Sequence, residues 1–317
     1  MDYKQDNLFG WNDEAEEAKA SLFDKFIIPP FSVLDRRQGY WQNRKRTWLR
    51  LGIKSELGRD EHLCFNLNSF DADTDKAVRQ GQAQADAPST SVFDPVLCEL
   101  AYTWFCPKGG RILDPFCGGS VRGIVACQLG YKYTGIDLRD EQIQENKKQA
   151  KEILGDEGAS ALTYITGDSD IVLDCIGDAN ANAYDFAFTC PPYFDLEVYS
   201  DNPKDISNMD WDGFKNAYAS ILGKACNLLR QDAFFGIVIG DVRDKKDGCF
   251  KGLPNVTQII MKKNGFGLYD DFILLDPLGS ASMRADKQFT ATRKCVTTHQ
   301  RFMVFLKGDP RKAKGKD

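Results

Sequence analysis

The run from Tyr184 to Ser200, YDFAFTCPPYFDLEVYS, joins a short apolar stretch to two prolines and an aromatic ring. Neither Pro191 nor Pro192 can donate to a strand ladder, so a central strand must end there. A stiff turn then presents Tyr193 at its tip and fixes the direction of backbone carbonyls. Those carbonyls can accept hydrogen bonds from an amino group, while Tyr193 offers a flat face to a heterocyclic ring. An amine held in this way has its lone pair free to attack an electrophilic carbon in line, and proximity and orientation supply most of the catalysis. Taken alone, the same residues read more simply as a structural proline turn with a core tyrosine, so the neighbouring motifs decide between the two.

Three further features have the same position, just after an apolar strand-like run. LDPFCGGS spans residues 113–120, where Gly118 and Gly119 allow a sharp turn into a helix and a close approach of backbone to ligand. Asp137 in GIDL follows at about the spacing of a carboxylate that grips ribose hydroxyls. Asp168 in TGDS suits an adenine amino group. Singly, a glycine pair is more often a tight turn, and an Asp after a strand is often a helix N-cap. Together, at regular strand–helix spacing, they are far more specific. The glycine segment is neither G-x-G-x-x-G nor G-x-x-x-x-G-K-[ST], which disfavours hydride and phosphoryl transfer.

The elements that must position these residues alternate. Helical periodicity runs through VFDPVLCELAYTWFC, SVRGIVACQLG, DEQIQENKKQAKEILG, DIVLDCIG, WDGFKNAYASILGKACNLLR and VTQIIMKKNG. Strand-like runs are GGRILDPF, YKYTGIDL, LTYITGDS, YDFAFTC, AFFGIVIGD, LYDDFILLD and QRFMVFLKG. This pattern predicts an α/β fold with a seven-stranded, mostly parallel sheet covered by helices on both faces. The last two strands have no predicted helix between them and are expected to pair antiparallel at one edge. The fourth strand is expected beside the first, at the topological switch point where open α/β sheets bind ligands. CPPY would then face whatever the glycine loop holds.

The chain of 317 residues carries 46 acidic and 41 basic side chains, enough length for one large α/β domain and an accessory segment. No run of about 18 apolar residues points to a membrane span, and the acidic first residues lack a secretion signal, so a cytoplasmic location is expected. Ten cysteines without a CxxC pair, and only His62 and His299, disfavour a zinc site. The cysteines read as small buried hydrophobes in a reducing compartment. Residues 1 to about 30 read as an acidic helical lead. DADTDKAVRQGQAQADAPSTS reads as a linker.

DPFCGGS followed by TCPPYF resembles the S-adenosylmethionine-dependent amino-methyltransferases of DNA, whose paired motifs are D-P-F-x-G-S-G-T and [DNS]-P-P-[YFW]. The wider pattern, with WQNRKRTWLRLGIKSELGR and QFTATRKCVTTHQ, is similar to phage- and prophage-encoded members, where evasion of restriction is a plausible purpose. The resemblance covers residues 92–308, and more loosely the basic segment before them. It implies a Rossmann-like methyltransferase domain over residues 91–310, an accessory segment over 1–90 and a basic tail over 311–317. It implies S-adenosylmethionine as cofactor, with Phe93, Asp94, Asp114, Phe116, Gly118, Gly119 and Ser120 around its methionine end, Asp137 on the ribose and Asp168 at the adenine. Cys190, Pro191, Pro192 and Tyr193 become the base pocket. The sequence departs from the family in two places. GGSV replaces GSGT, and Cys190 stands where Asp, Asn or Ser usually accepts from the target amine; a thiol is a weak partner. The turn is nearest to T-S-P-P-Y, which favours cytosine N4 slightly over adenine N6. Cys190 as a nucleophile on cytosine C5 is disfavoured, because no base adjoins it and enzymes of that kind carry the cysteine after the prolines.

An amine inside a duplex is out of reach, so the base must flip out at a cost of a few kcal/mol. Two segments are candidates for holding the DNA. One is N-terminal, with Arg36, Arg37, Arg44, Lys45 and Arg46 for phosphates and Tyr40, Trp41 and Trp48 for stacking or wedging. Its simpler reading is an amphipathic helix docked by Trp41, Trp48, Leu49 and Leu51 with a solvated basic face. The other is the long connection PLGSASMRADKQFTATRKCVTTHQ, with Arg284, Lys287, Arg293 and Lys294. RNA base methylation, and a non-catalytic nucleic-acid-binding subunit, are the alternative functions.

Overall fold

The computed structural model describes residues 22–54, 93–180, 182–196, 199–279 and 281–313. The predicted linker, and all of the acidic lead before residue 22, lie outside the described residues. Among the described residues, eight strands form one sheet: β1 (Val33–Asp35), β2 (Arg111–Asp114), β3 (Lys132–Asp137), β4 (Leu162–Thr166), β5 (Tyr184–Thr189), β6 (Leu229–Ile239), β7 (Gly267–Leu275) and β8 (His299–Lys307). Their spatial order is β1-β7-β8-β6-β5-β2-β3-β4.

The chain runs outward from β2 to β3 to β4, then returns to place β5 on the other side of β2, in parallel register with Ile112 opposite Phe186. The switch point therefore lies between β2 and β5, as the alternation predicts. β8 runs antiparallel to both β6 and β7. The predicted antiparallel pair is present, but it is not the edge of the sheet. Three residues of the N-terminal segment form β1, which pairs parallel with β7 and makes an eighth, outermost strand. A strand this short has too few residues to display a period of two.

Strand alternation divides the core. Ile112, Phe186 and Phe188 join Trp41, Tyr102 and Ile124 on one face, under helices Gly39–Leu49, Pro95–Phe105, Val121–Gln128 and Asp140–Ala159. Leu113, Ala187 and Phe235 join Tyr218, Leu222 and Met261 on the other, under helices Ser169–Asn180, Trp211–Leu228 and Leu253–Lys263. Helix starts follow local chemistry. Asp94 accepts from the Val96 N–H ahead of Pro95, and Asp210 accepts from the Gly213 N–H.

The basic N-terminal helix docks through its tryptophans. Trp41 is fully buried and its Nε1 donates to Asp94 at 3.1 Å; Trp48 Nε1 donates to Glu99 at 2.8 Å. Leu51, expected in that interface, is exposed. The connection between β7 and β8 is not a plain loop: it carries the helix Ala281–Thr292, of which only Ala281 is buried. Among the described cysteines, Cys98, Cys106, Cys117 and Cys226 are buried, whereas Cys175, Cys249 and Cys295 are exposed. No helix among the described residues is long and apolar enough to cross a membrane.

Candidate active site

Because β1 to β7 all end at one edge of the sheet and β8 begins there, the residues after each strand converge. A cavity of 320 Å³ lies at that edge, over the β2/β5 switch point. Phe116, Gly118 and Gly119 line one part of it, Asp137 and Asp168 another, and Cys190, Pro191, Pro192 and Tyr193 the far end, with Phe93 over the first. The glycine loop, both strand-end aspartates and the proline turn thus share one space.

Against the cavity wall, which Arg122 helps to line, sits a buried ionic hub. The fully buried Asp114 carboxylate accepts from Arg122 Nε at 2.6 Å, Tyr133 Oη at 2.6 Å, Thr189 Oγ1 at 2.7 Å and the Phe116 N–H at 3.1 Å. Arg122 also donates to the Phe116 carbonyl, and its guanidinium lies 4.5 Å from the centre of the Phe93 ring. Burial is the largest influence and works against the Arg122 charge, but Asp114, Tyr133 and Cys190 together outweigh it and hold the guanidinium well above its ordinary value. Asp114 therefore ties the glycine loop to the end of β5. It does not line the cavity, so the expected contact with cofactor gives way to a positioning role. Ser120 is likewise buried, its Oγ donating to Gln149, and Asp94 is buried between Trp41 and the helix N-terminus; neither lines the cavity.

Gly118 has φ of 50°, in the left-handed region that glycine enters without steric cost. Its N–H donates to Asp137 Oδ2 at 3.0 Å, while its carbonyl accepts from Asn146 Nδ2 at 2.7 Å. The other Asp137 oxygen accepts from the Arg139 N–H. Burial pushes the Asp137 carboxyl up, against the two backbone N–H groups that favour its charge. Asp168 does two things. It accepts from the Asp170 N–H at the start of its helix, and it faces the cavity with Lys204 Nζ at 3.8 Å.

At the far end Tyr193 is held from several sides. Its hydroxyl donates to Gln300 Oε1 at 2.9 Å and lies 3.5 Å from Cys190 Sγ. With that proton committed to Gln300, the thiol is the donor in the Cys190 contact. Its ring lies against Gly240 at the end of β6, where an added Cβ would approach to 3.1 Å. Phe194, next in sequence, has φ of 55° and is locked by edge-on contacts with Trp211 and Phe214. A non-glycine residue there is strained, and persists because packing over-determines it. Burial, followed by the nearby Cys190, keeps the Tyr193 hydroxyl well above its ordinary value, so the ring stays neutral.

The basic residues fare unevenly. Trp41 is interior, so it packs and does not stack on a ligand. Arg36 pairs with Asp276, Arg37 with Asp35 through two bonds, Arg44 with Glu99 through two bonds, and Lys45 with Asp94 at 3.6 Å. These ion pairs offset much of the charge that the sequence suggested was offered to phosphates. Arg46 leans on Asn43, and Tyr40 packs edge-on against Phe23. In the β7–β8 connection Arg284, Lys287 and Arg293 are exposed and Lys294 is half-buried. Exposed Met283 and Phe289 accompany them, with Arg293 over the Phe289 ring.

Sequence reasoning did not single out Arg122 or Gln300. A signal for Arg122 existed: an arginine between Val121 and Ile124 on the apolar side of a short helix needs a buried partner. Gln300, at the start of the last strand, carried none.

No family model matches the sequence, and no curated protein matches it. Among solved structures, TrmN from Thermus thermophilus is similar at 16% identity and a TM-score of 0.41 over 67% of this chain, which spans about half (48%) of that one. A TehB-like SAM-dependent methyltransferase from Corynebacterium glutamicum is similar at 16% identity and a TM-score of 0.41, over 74% of this chain and 98% of that one. The [4+2]-cyclase SpnF is similar at 14% identity and a TM-score of 0.46, over 68% of this chain and 81% of that one. Identities of this size leave activity and substrate to be argued from the site itself.

Proposed function

We propose that the protein is an S-adenosylmethionine-dependent methyltransferase acting on the exocyclic amino group of a base in DNA. The observation that carries this reading is that the glycine loop, Asp137, Asp168 and the Cys190–Tyr193 turn line one cavity. The residues fit the cofactor. The Asp137 carboxylate has lone pairs left for hydroxyl donors, Gly118 brings backbone close, and Phe116, Ile136 and Leu138 supply apolar walls. When bound, S-adenosylmethionine supplies an electrophilic methyl group.

The chain's own residues then act on the base. Tyr193 stacks on a base flipped into the pocket, and the carbonyls of the proline turn accept hydrogen bonds from its amine. Cys190 contributes only a weak acceptor at that point. Cytosine N4 is slightly favoured, with adenine N6 close behind, on the likeness of the turn to T-S-P-P-Y. The connection with Arg284, Lys287, Arg293 and Lys294 stands at the same edge of the sheet and is the better candidate for holding DNA, since much of the N-terminal charge is paired within the protein.

The test is to incubate the protein and its Tyr193→Ala variant with unmethylated duplex DNA and S-adenosylmethionine, then identify nucleosides by mass spectrometry. N4-methylcytosine or N6-methyladenine, lost in the variant, is expected. Methylation of RNA alone would replace DNA as the substrate. Cofactor binding without methylation of either would favour a non-catalytic subunit.

A further inference from the structure

Tyr193 lies at the end of a chain of polar contacts that leaves the pocket. Its hydroxyl donates to Gln300 Oε1 at 2.9 Å, Gln300 Nε2 donates to Asp276 Oδ2 at 3.3 Å, and the other Asp276 oxygen is paired with Arg36. Each member comes from a different strand end: Tyr193 after β5, Gln300 at the start of β8, Asp276 after β7 and Arg36 after β1. The backbone secures the same corner, because the Arg36 N–H donates to the Leu275 carbonyl and the Asp276 N–H to the Thr298 carbonyl. Asp276 and Gln300 are also the points at which the 281–292 connection leaves and re-enters the sheet.

Arg36 is held there against its own preference. Its Nε is a buried side-chain atom with no hydrogen-bond partner among the described residues, and burial lowers its affinity for the proton against the opposing field of Asp94. Leaving a buried donor unmade is unfavourable, so something else must fix the guanidinium in place. Its partner Asp276 does so, and the result is a carboxylate whose second oxygen orients the Gln300 amide. An amide can turn either end toward a neighbour. With Asp276 claiming the NH₂ group, the carbonyl end is left for the Tyr193 hydroxyl.

We infer that Gln300 is a positioning residue for the Tyr193 ring, and that Arg36 and Asp276 set its amide so that the tyrosine hydroxyl always meets an acceptor. This rests on the reading in which Tyr193 faces the target base. Arg36, whose charge suggested phosphate contact, thereby works through the interior of the pocket wall.

Single-turnover methyl transfer, with cofactor and DNA saturating, tests the inference alongside NMR of protein labelled with ¹³C-tyrosine, where Tyr193→Phe identifies the Tyr193 signal. Gln300→Leu is expected to slow transfer by about two- to twelvefold, the range set by one net hydrogen bond. Tyr193→Phe should cost a similar factor, and the double variant no more than either alone. Gln300→Glu puts two carboxylates together and should cost more. Adding Asp276→Asn to it restores a donor–acceptor pair and should return the rate to within about threefold of wild type, since a paired hydrogen bond replaces the repulsion. Independent, multiplicative effects of Gln300→Leu and Tyr193→Phe, or failure of Asp276→Asn to rescue, would overturn it. Should wild type methylate no base, the functional reading falls while the NMR still decides the relay. A Tyr193 signal that shifts in Gln300→Leu and Gln300→Glu, and returns in the rescued pair, upholds it. An unmoved signal refutes it.

Discussion

Asp114→Ala removes the acceptor on which Arg122, Tyr133, Thr189 and the Phe116 N–H converge. Arg122, only 5% exposed, would keep a buried guanidinium with the Phe116 carbonyl but no counter-charge. Removing one partner of a buried ion pair costs about 3–5 kcal/mol. The Tyr133 and Thr189 hydroxyls each lose a buried acceptor, worth roughly 1–3 kcal/mol apiece if nothing replaces it. These losses share one site and are not additive, so the net is on the order of 4–6 kcal/mol. That is a large part of the roughly 5–15 kcal/mol that holds a native domain together. Urea unfolding followed by tryptophan fluorescence reads it as a fall in midpoint with an unchanged slope. The double variant Asp114→Leu with Arg122→Met removes both charges and should be more stable than Asp114→Ala, because no uncompensated ion remains. A loss below about 1 kcal/mol, the size of an exposed ion pair, or a double variant less stable than the single, would refute the hub.

Gly118→Ala places a Cβ at φ of 50° without a steric clash in the surroundings, so the cost is backbone strain of roughly 1–2 kcal/mol; calorimetry should show weaker binding of S-adenosylmethionine. Trp41→Ala should cost about 3–5 kcal/mol of stability as a core deletion, while the slope of DNA affinity against salt concentration stays unchanged. Alanine at Arg284 or Arg293 should instead lower that slope by about 1 for each phosphate no longer neutralised, with little effect on the unfolding midpoint. For Asp137, a folded-state value raised by burial means that the native state holds its proton more tightly than the unfolded chain. Its effect on stability is therefore favourable below the unfolded value, near 3.9, and is lost as pH rises through the folded one. The melting temperature of Asp137→Asn relative to wild type should rise across that window, and a flat difference would contradict the assigned burial.

Much of this protein is legible in its sequence. The alternation of apolar runs with helical periods required a parallel sheet, and the place of LDPFCGGS, Asp137, Asp168 and CPPY after their strands required that they meet at one edge. That inference works because side-chain period and turn chemistry are local, and because a parallel sheet sends all its carboxyl ends the same way. Tertiary structure alone decided the partners. Arg36 finds Asp276, Arg44 finds Glu99 and Thr189 finds Asp114, pairs far apart in sequence that no period connects. Charge density in the N-terminal segment suggested a free basic face, but ion pairing follows from spatial proximity, which composition does not encode. The same holds for β1, too short to show a pattern, and for Gln300, whose role exists only because β8 begins where Tyr193 ends.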